Sequence, residues 1–214
     1  FNDFVESFNS KSDNLSFNVN RLSEDVILQQ LSETKDKLKT LRKIDITTLD
    51  KESQIDYKFI ESILVGEEIE NEEIQSWKKD PRDYMNFRQI STTINGPKNC
   101  EDKINYLIKY LPVVKSDLNL GVSQLESYVP RFQELGLYMA KNSNSIFIDE
   151  INNLFVSCNS SSETNKKTIL KLSSEIIEAL NVFVNFLEID LPNKQKSSFS
   201  IGKETYNKML KNQF

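Results

Sequence analysis

Glycine and proline are scarce in this chain, five of each in 214 residues, and that scarcity limits what it can fold into. These two residues punctuate turns and strand connections, so an all-β sandwich or barrel of this length would need many more. Between the few breakers, apolar residues recur at the three-to-four spacing of a helix face. The expected fold class is all-α: an irregular antiparallel helical domain with more than about 60% helix. A chain of about 200 residues can bury about 70% of its unfolded surface, so one folded unit needs neither metal nor disulfide. No fixed period of about 34 or 40 residues recurs, so a regular solenoid repeat is not supported.

The elements follow from local signals. Phe1, Phe4, Val5 and Phe8 share one face of a first helix. Leu15, Phe17 and Val19 alternate with polar residues and predict one short strand near the N-terminus. Ser23 is an N-cap followed by Glu24 and Asp25, where a helix dipole favours negative charge. That helix carries Ile27, Leu31, Leu38 and Leu41, and Ile44 to Asp50 interrupts it. A long helix from Lys51 to Trp77 is expected to turn Ile55, Phe59, Ile60, Ile63 and Leu64 inward. Asp80-Pro81 reads as a cap plus first helical position, starting a helix that runs to Asn95-Gly96-Pro97. Ile104, Leu107, Ile108 and Leu111 form the next stripe, with Pro112 kinking or interrupting it. Leu118 to Tyr128 continues it, and Pro130 opens a helix to Cys158. Asn159 to Asn165 is a loop, and Ser162 to Ile189 a last long helix ended by Pro192. Lys194 to Ser198 is a polar linker, and Gly202 to Leu210 a short closing helix.

The chain contains no histidine. Within it, this excludes imidazole acid–base catalysis, Ser-His-Asp and Cys-His arrangements, and His-ligated zinc. A net charge of -5 and a pI near 5.1 argue against nucleic-acid binding. No apolar run approaches the roughly 18 residues of a membrane span, and the start lacks a signal-peptide pattern. The chain begins at Phe1 rather than Met, as a processed or excised product would. Cys100 and Cys158 form no C-x-x-C pair; two buried thiols are expected, a disulfide being the alternative. Asn14 and Asn159 begin chance-level glycosylation sequons.

Other candidates have bland readings. Glu67, Glu68, Glu70, Glu72 and Glu73 could present carboxylates four apart to a cation, but Glu-x-x-His pairs and a calcium-loop pattern are absent, so a solvated face is expected. Ser-x-x-Lys spacings at Ser32/Lys35, Ser76/Lys79 and Ser200/Lys203 match chance, and no G-x-S-x-G elbow accompanies them. All glycines are isolated, so no phosphate-cradling loop exists. Glu126, Glu134, Asp149 and Glu150 read as surface charge. Lys166-Lys167 and Lys194/Lys196 are too diluted for a nucleic-acid patch. Phe132, Tyr138, Phe147, Phe155, Phe183 and Phe186 read as core. On residue chemistry alone the chain has no catalytic, cofactor-binding or metal residues.

Several short stretches occur in a recognisable order. Trp77, Asp80-Pro81 and Tyr84 resemble the Trp…(Asn/Asp)-Pro-x-x-Tyr stretch of a bacterial family called domain of unknown function 885. Leu49 and the Asp56-Tyr57 to Leu64 helix resemble the helix before that motif. Leu107 to Pro112, Leu118 and Pro130 are similar to its later progression, with Lys where Arg is usual. Ser200-Ile201-Gly202-x-Glu204-x-Tyr206-x-x-x-Leu210 resembles its Gly-x-Glu-x-Tyr-x-x-x-Leu element. The family's early Gly is missing near Arg21 to Ser23. Full-length members resemble zinc carboxypeptidase-like hydrolases whose His-Glu-x-x-His helix lies in the second half. The resemblance implies a single helical domain over residues 1–214, the amino-terminal part of a longer chain, with 193–214 leading into a catalytic half. Zinc is expected only in that half, no metal or catalytic residue being carried over. Implied partners are the carboxy-terminal half and a peptide-like substrate. A self-contained helical protein- or peptide-binding module is the alternative.

Overall fold

The computed structural model describes residues 1–9, 17–158 and 162–213, and the chain is 80% helical, an all-α fold. Its contacts fall into two compact units where the sequence reads as a single domain: Phe1–Leu15, Ser23–Ser76 and Ser200–Phe214 form one, Ser16–Leu22 and Trp77–Phe199 the other.

The first unit contains α1 (Asn2–Asn9), α2 (Glu24–Leu41), α3 (Lys51–Glu68) and α9 (Lys203–Gln213). Ser23 caps α2 by accepting the Val26 N–H, and Asp50 caps α3 by accepting the Ser53 N–H. Such caps contribute about 1 kcal/mol each. Leu38 and Leu41 of α2 meet Tyr57, Ile60 and Leu64 of α3, and Phe1, Phe4, Val5 and Phe8 close this core. Arg42 pairs with Glu61 and Thr34 with Glu67, so α2 and α3 are antiparallel. Ile55 and Phe59, expected inward, are instead 69% and 66% exposed. The buried stripe of α3 is Tyr57, Ile60 and Leu64, half a turn away. The expected helix to Trp77 gives way to a π-helical turn over Ile69–Ile74, ended by Gln75 in the left-handed region (φ 50°).

The second unit contains α4 (Arg88–Asn95), α5 (Cys100–Gln124), α6 (Pro130–Asn142), α7 (Ile151–Ser157) and α8 (Glu163–Asn185). Asp80 and Pro81 start a single 3-10 turn, Pro81–Tyr84, rather than a helix to Asn95. Pro112 does not interrupt α5, whose buried residues on both sides include Leu111, Val113 and Val114. Their burial outweighs a proline penalty of about 3 kcal/mol. Lys115 of α5 pairs with Glu175 of α8, and Gly121 lies against Phe183. These two helices are therefore parallel, unlike the antiparallel order expected. The segment carrying α6 and α7 returns the chain to the start of α5, where Cys100 and Cys158 form a disulfide rather than two thiols. The two-residue strands β1 (Ser127–Tyr128) and β2 (Gln195–Lys196) follow α5 and α8 and pair in parallel. Residues 17–22 form turns, so the strand expected at Phe17 and Val19 is not found there. Leu15 and both sequons lie outside the described residues.

Candidate functional site

Of the glutamates at and beyond the end of α3, Glu68, Glu72 and Glu73 line an open groove of about 580 Å³ on the first unit. In a continuous α-helix Glu68 and Glu72 would stack on one face. The π turn over Ile69–Ile74 widens the helix there, and the carboxylates disperse. Glu67 accepts the Thr34 hydroxyl at 3.1 Å. Glu72 pairs with Lys35 at 2.7 Å. Glu73 accepts from Lys208 Nζ at 2.6 Å and Thr205 Oγ1 at 3.0 Å. These last two hydrogen bonds hold the Glu73 carboxyl below its usual range, and Glu73 in turn raises the Lys208 ammonium. Glu70 Oε1 is buried without a hydrogen-bond partner. The acidic run expected to be a solvated face is thus largely a set of ties from α3 to α2 and α9.

The groove is lined by the Arg42–Glu61 and Glu73–Lys208 pairs, with Val65 and Ile69 as its apolar floor and Glu68 and Lys211 among its walls. Its charges mostly neutralise one another. No serine or cysteine is among its lining residues, so it offers complementary charge to a polar ligand but no hydroxyl or thiol nucleophile of those two types beside a base.

The acidic residues of the second unit do not converge either. Glu150 accepts from Ser91 at 3.0 Å and Asn95 at 3.3 Å. Glu126 pairs with Lys78 and Glu134 with Arg131, while Asp149 is exposed. No general acid–base couple forms from them. Of the Ser-x-x-Lys spacings, Lys35 is held by Glu72 and Ser200 Oγ accepts the Gly202 N–H. Phe147, Phe155, Phe183 and Phe186 are core, Phe132 lies under the Arg82 guanidinium, and Tyr138 is 70% exposed. Lys166 lies over the Phe155 ring.

Two polar features escaped the sequence reading. Arg21 makes a double hydrogen bond to Asp117, with Nη2 at 2.6 Å, and lies 5.7 Å from the Tyr110 ring centre. Burial pushes the Asp117 carboxyl up, against the pull of Arg21. The available signal was Asp117 itself, an acid between Val114 and Leu118 on an apolar face. Tyr84 donates its hydroxyl to the Trp77 carbonyl and accepts from Gln124 at 3.1 Å. Burial pushes its phenol far above the ordinary value. Trp77 and Tyr84 are thus joined across the Asp80-Pro81 turn, and Trp77 Nε1 is buried without a partner.

The donor set does not fit zinc. There is no imidazole, both cysteines are tied in the disulfide, and no group of three Cys, Asp or Glu side chains converges among the described residues. No helix among them is long and apolar enough to cross a membrane.

No family model matches this sequence, and no curated protein matches it. The fold is similar to that of a solved structure from Shewanella oneidensis, described as "a putative lipoprotein of unknown function", with a TM-score of 0.82 at 17% identity. The match covers 99% of this chain and 41% of that one. The chain therefore spans about two fifths of that protein, and at this identity the likeness extends to the fold alone.

Proposed function

We propose that this chain is the non-catalytic amino-terminal helical portion of a zinc metallopeptidase, forming one wall of the substrate cleft while the carboxy-terminal half supplies metal and catalysis. The observation that supports a place within a longer chain is coverage: 99% of this chain matches 41% of a longer protein that shares its fold over that stretch, while the peptidase character comes from the family resemblance alone. A helical unit embedded in a larger chain is what the family resemblance implies. The absence of histidine supports the same division, because the hydrolytic machinery of that family needs imidazole. The charge-lined groove suits a wall that holds a peptide's polar groups but performs no proton transfer.

The Cys100–Cys158 disulfide adds a compartment to the reading. Disulfides persist in oxidising surroundings and are rare in the cytosol. On that chemistry we place this chain in an oxidising compartment.

A self-contained protein- or peptide-binding module is the second reading, supported by each unit having a hydrophobic core of its own. The two separate on zinc. The product of the intact reading frame is expected to contain a His-Glu-x-x-His helix and to bind about one zinc per chain. The 214-residue chain is expected to show no zinc-dependent rise in melting temperature. An intact frame without that motif, or without bound zinc, would leave the binding-module reading in its place.

A further inference from the structure

Ile55, Phe59, Ser62 and Gly66 follow one another at intervals of four, three and four residues, so they lie on one stripe of α3. This stripe is opposite the buried one formed by Tyr57, Ile60 and Leu64. Its carboxy-terminal part is covered by α9. Ser62 Oγ donates to the Asn212 carbonyl at 3.0 Å, and Asn212 Nδ2 donates to the Ser62 carbonyl at 2.8 Å. A Cβ on Gly66 would meet Asn212 Nδ2 at 3.9 Å. One to two turns further on, Thr205 and Lys208 reach Glu73. As α9 advances from Thr205 to Asn212, its partners recede from Glu73 to Ser62, so α9 runs antiparallel to α3 and is directed at the start of that helix.

The amino-terminal part of the same stripe is apolar and, among the described residues, exposed. Ile55 is 69% exposed and Phe59 66%. At a rise of about 1.5 Å per residue, Phe59 lies about 4.5 Å and Ile55 about 10.5 Å beyond Ser62. These are the next two turns in the direction α9 is already taking. A polar stripe would need no cover; a phenyl beside a branched aliphatic at helical spacing is the pattern of a helix-packing surface.

We propose that the polypeptide following α9 continues along this stripe and buries Ile55 and Phe59, docking the carboxy-terminal half on α3. The proposal rests on the reading of this chain as the front portion of a longer protein, and names the surface by which that portion holds its other half.

Thiol labelling tests it. Ile55→Cys and Phe59→Cys, with Lys39→Cys on the exposed side of α2 as control, are made in the 214-residue chain and in the intact reading-frame product. Each is exposed to a maleimide dye, with Cys100 and Cys158 already joined. In the short chain, positions 55 and 59 are expected to label as fast as the control. In the long product they are expected to label at least about tenfold more slowly, with the control unchanged. Equal rates at both lengths would overturn the proposal. Slow labelling in the short chain that speeds up on dilution would also overturn it, since a second copy would then be the cover. Zinc content is measured on the same long product. Protection without zinc keeps the docking surface and removes the peptidase reading, whereas zinc without protection does the reverse.

Discussion

A methyl group at Gly121 would lie 2.6 Å from Cε2 of Phe183 and 2.9 Å from Cγ of Tyr84, both in side chains that are fully buried. Tyr84 is fixed through its hydroxyl to the Trp77 carbonyl, and Phe183 is packed on all sides within the core. Gly121→Ala is expected to destabilise the second unit by about 1–3 kcal/mol, read as a lower urea midpoint. An unchanged midpoint would show that the contact between α5 and α8 is looser than described. The need for glycine there was not legible in the sequence, since the ring that approaches Gly121 comes from a residue 62 positions later, Phe183 (183 − 121). Ser23, by contrast, was legible as a cap because a cap depends on residues within one turn. Asp117 lies between these cases: an acid on an apolar stripe announces a partner, but nothing local identifies it as Arg21.

α9 is held to the π turn through Glu73, whose carboxyl is kept below its ordinary value of 4.5 by hydrogen bonds from Lys208 and Thr205. A carboxylate with a depressed pKa in the folded state contributes stability that is present above the unfolded value and is lost as pH falls through the folded one. Amide exchange over residues 203–213, corrected for its intrinsic pH dependence, is therefore expected to speed up below pH 4.5. Glu73→Gln should exchange faster already at neutral pH and lose most of that acid response. A wild-type profile flat through this range would mean that Glu73 does not hold α9. The start of this helix near Gly202 could be read from the sequence. Its place against α3 could not, because the carboxylate that receives it belongs to a run of five with no local mark distinguishing Glu73. The inward assignment of Ile55 and Phe59 failed for a related reason. α3 has two opposed apolar stripes, and periodicity alone does not say which is buried. The π turns at Ile69–Ile74, Ile146–Glu150 and Phe186–Asp190 and the two-residue strands are set by tertiary packing and leave no pattern of their own.

Taken as a molecule, the chain was legible in class and obscure in connection. Few breakers and long amphipathic runs led to an all-α fold, whereas the division into two units and the parallel pair α5 and α8 depend on contacts between distant segments. The disulfide is one such contact. It joins residues 58 apart, and closing a loop of that length is worth about 4 kcal/mol in chain entropy. The double variant Cys100→Ser, Cys158→Ser is expected to lose a stability of that order in denaturant titration, and reduction of the wild type should lower its midpoint in the same direction. No change on either treatment would detach the disulfide from the stability of the second unit. Peptide hydrolysis is the most direct test of the division of labour. The 214-residue chain and the intact reading-frame product are incubated with short peptides, with and without zinc chelation. The account predicts cleavage by the long product alone, abolished by the chelator. Zinc-dependent or zinc-independent cleavage by the 214-residue chain would contradict it, as would a long product that cleaves nothing.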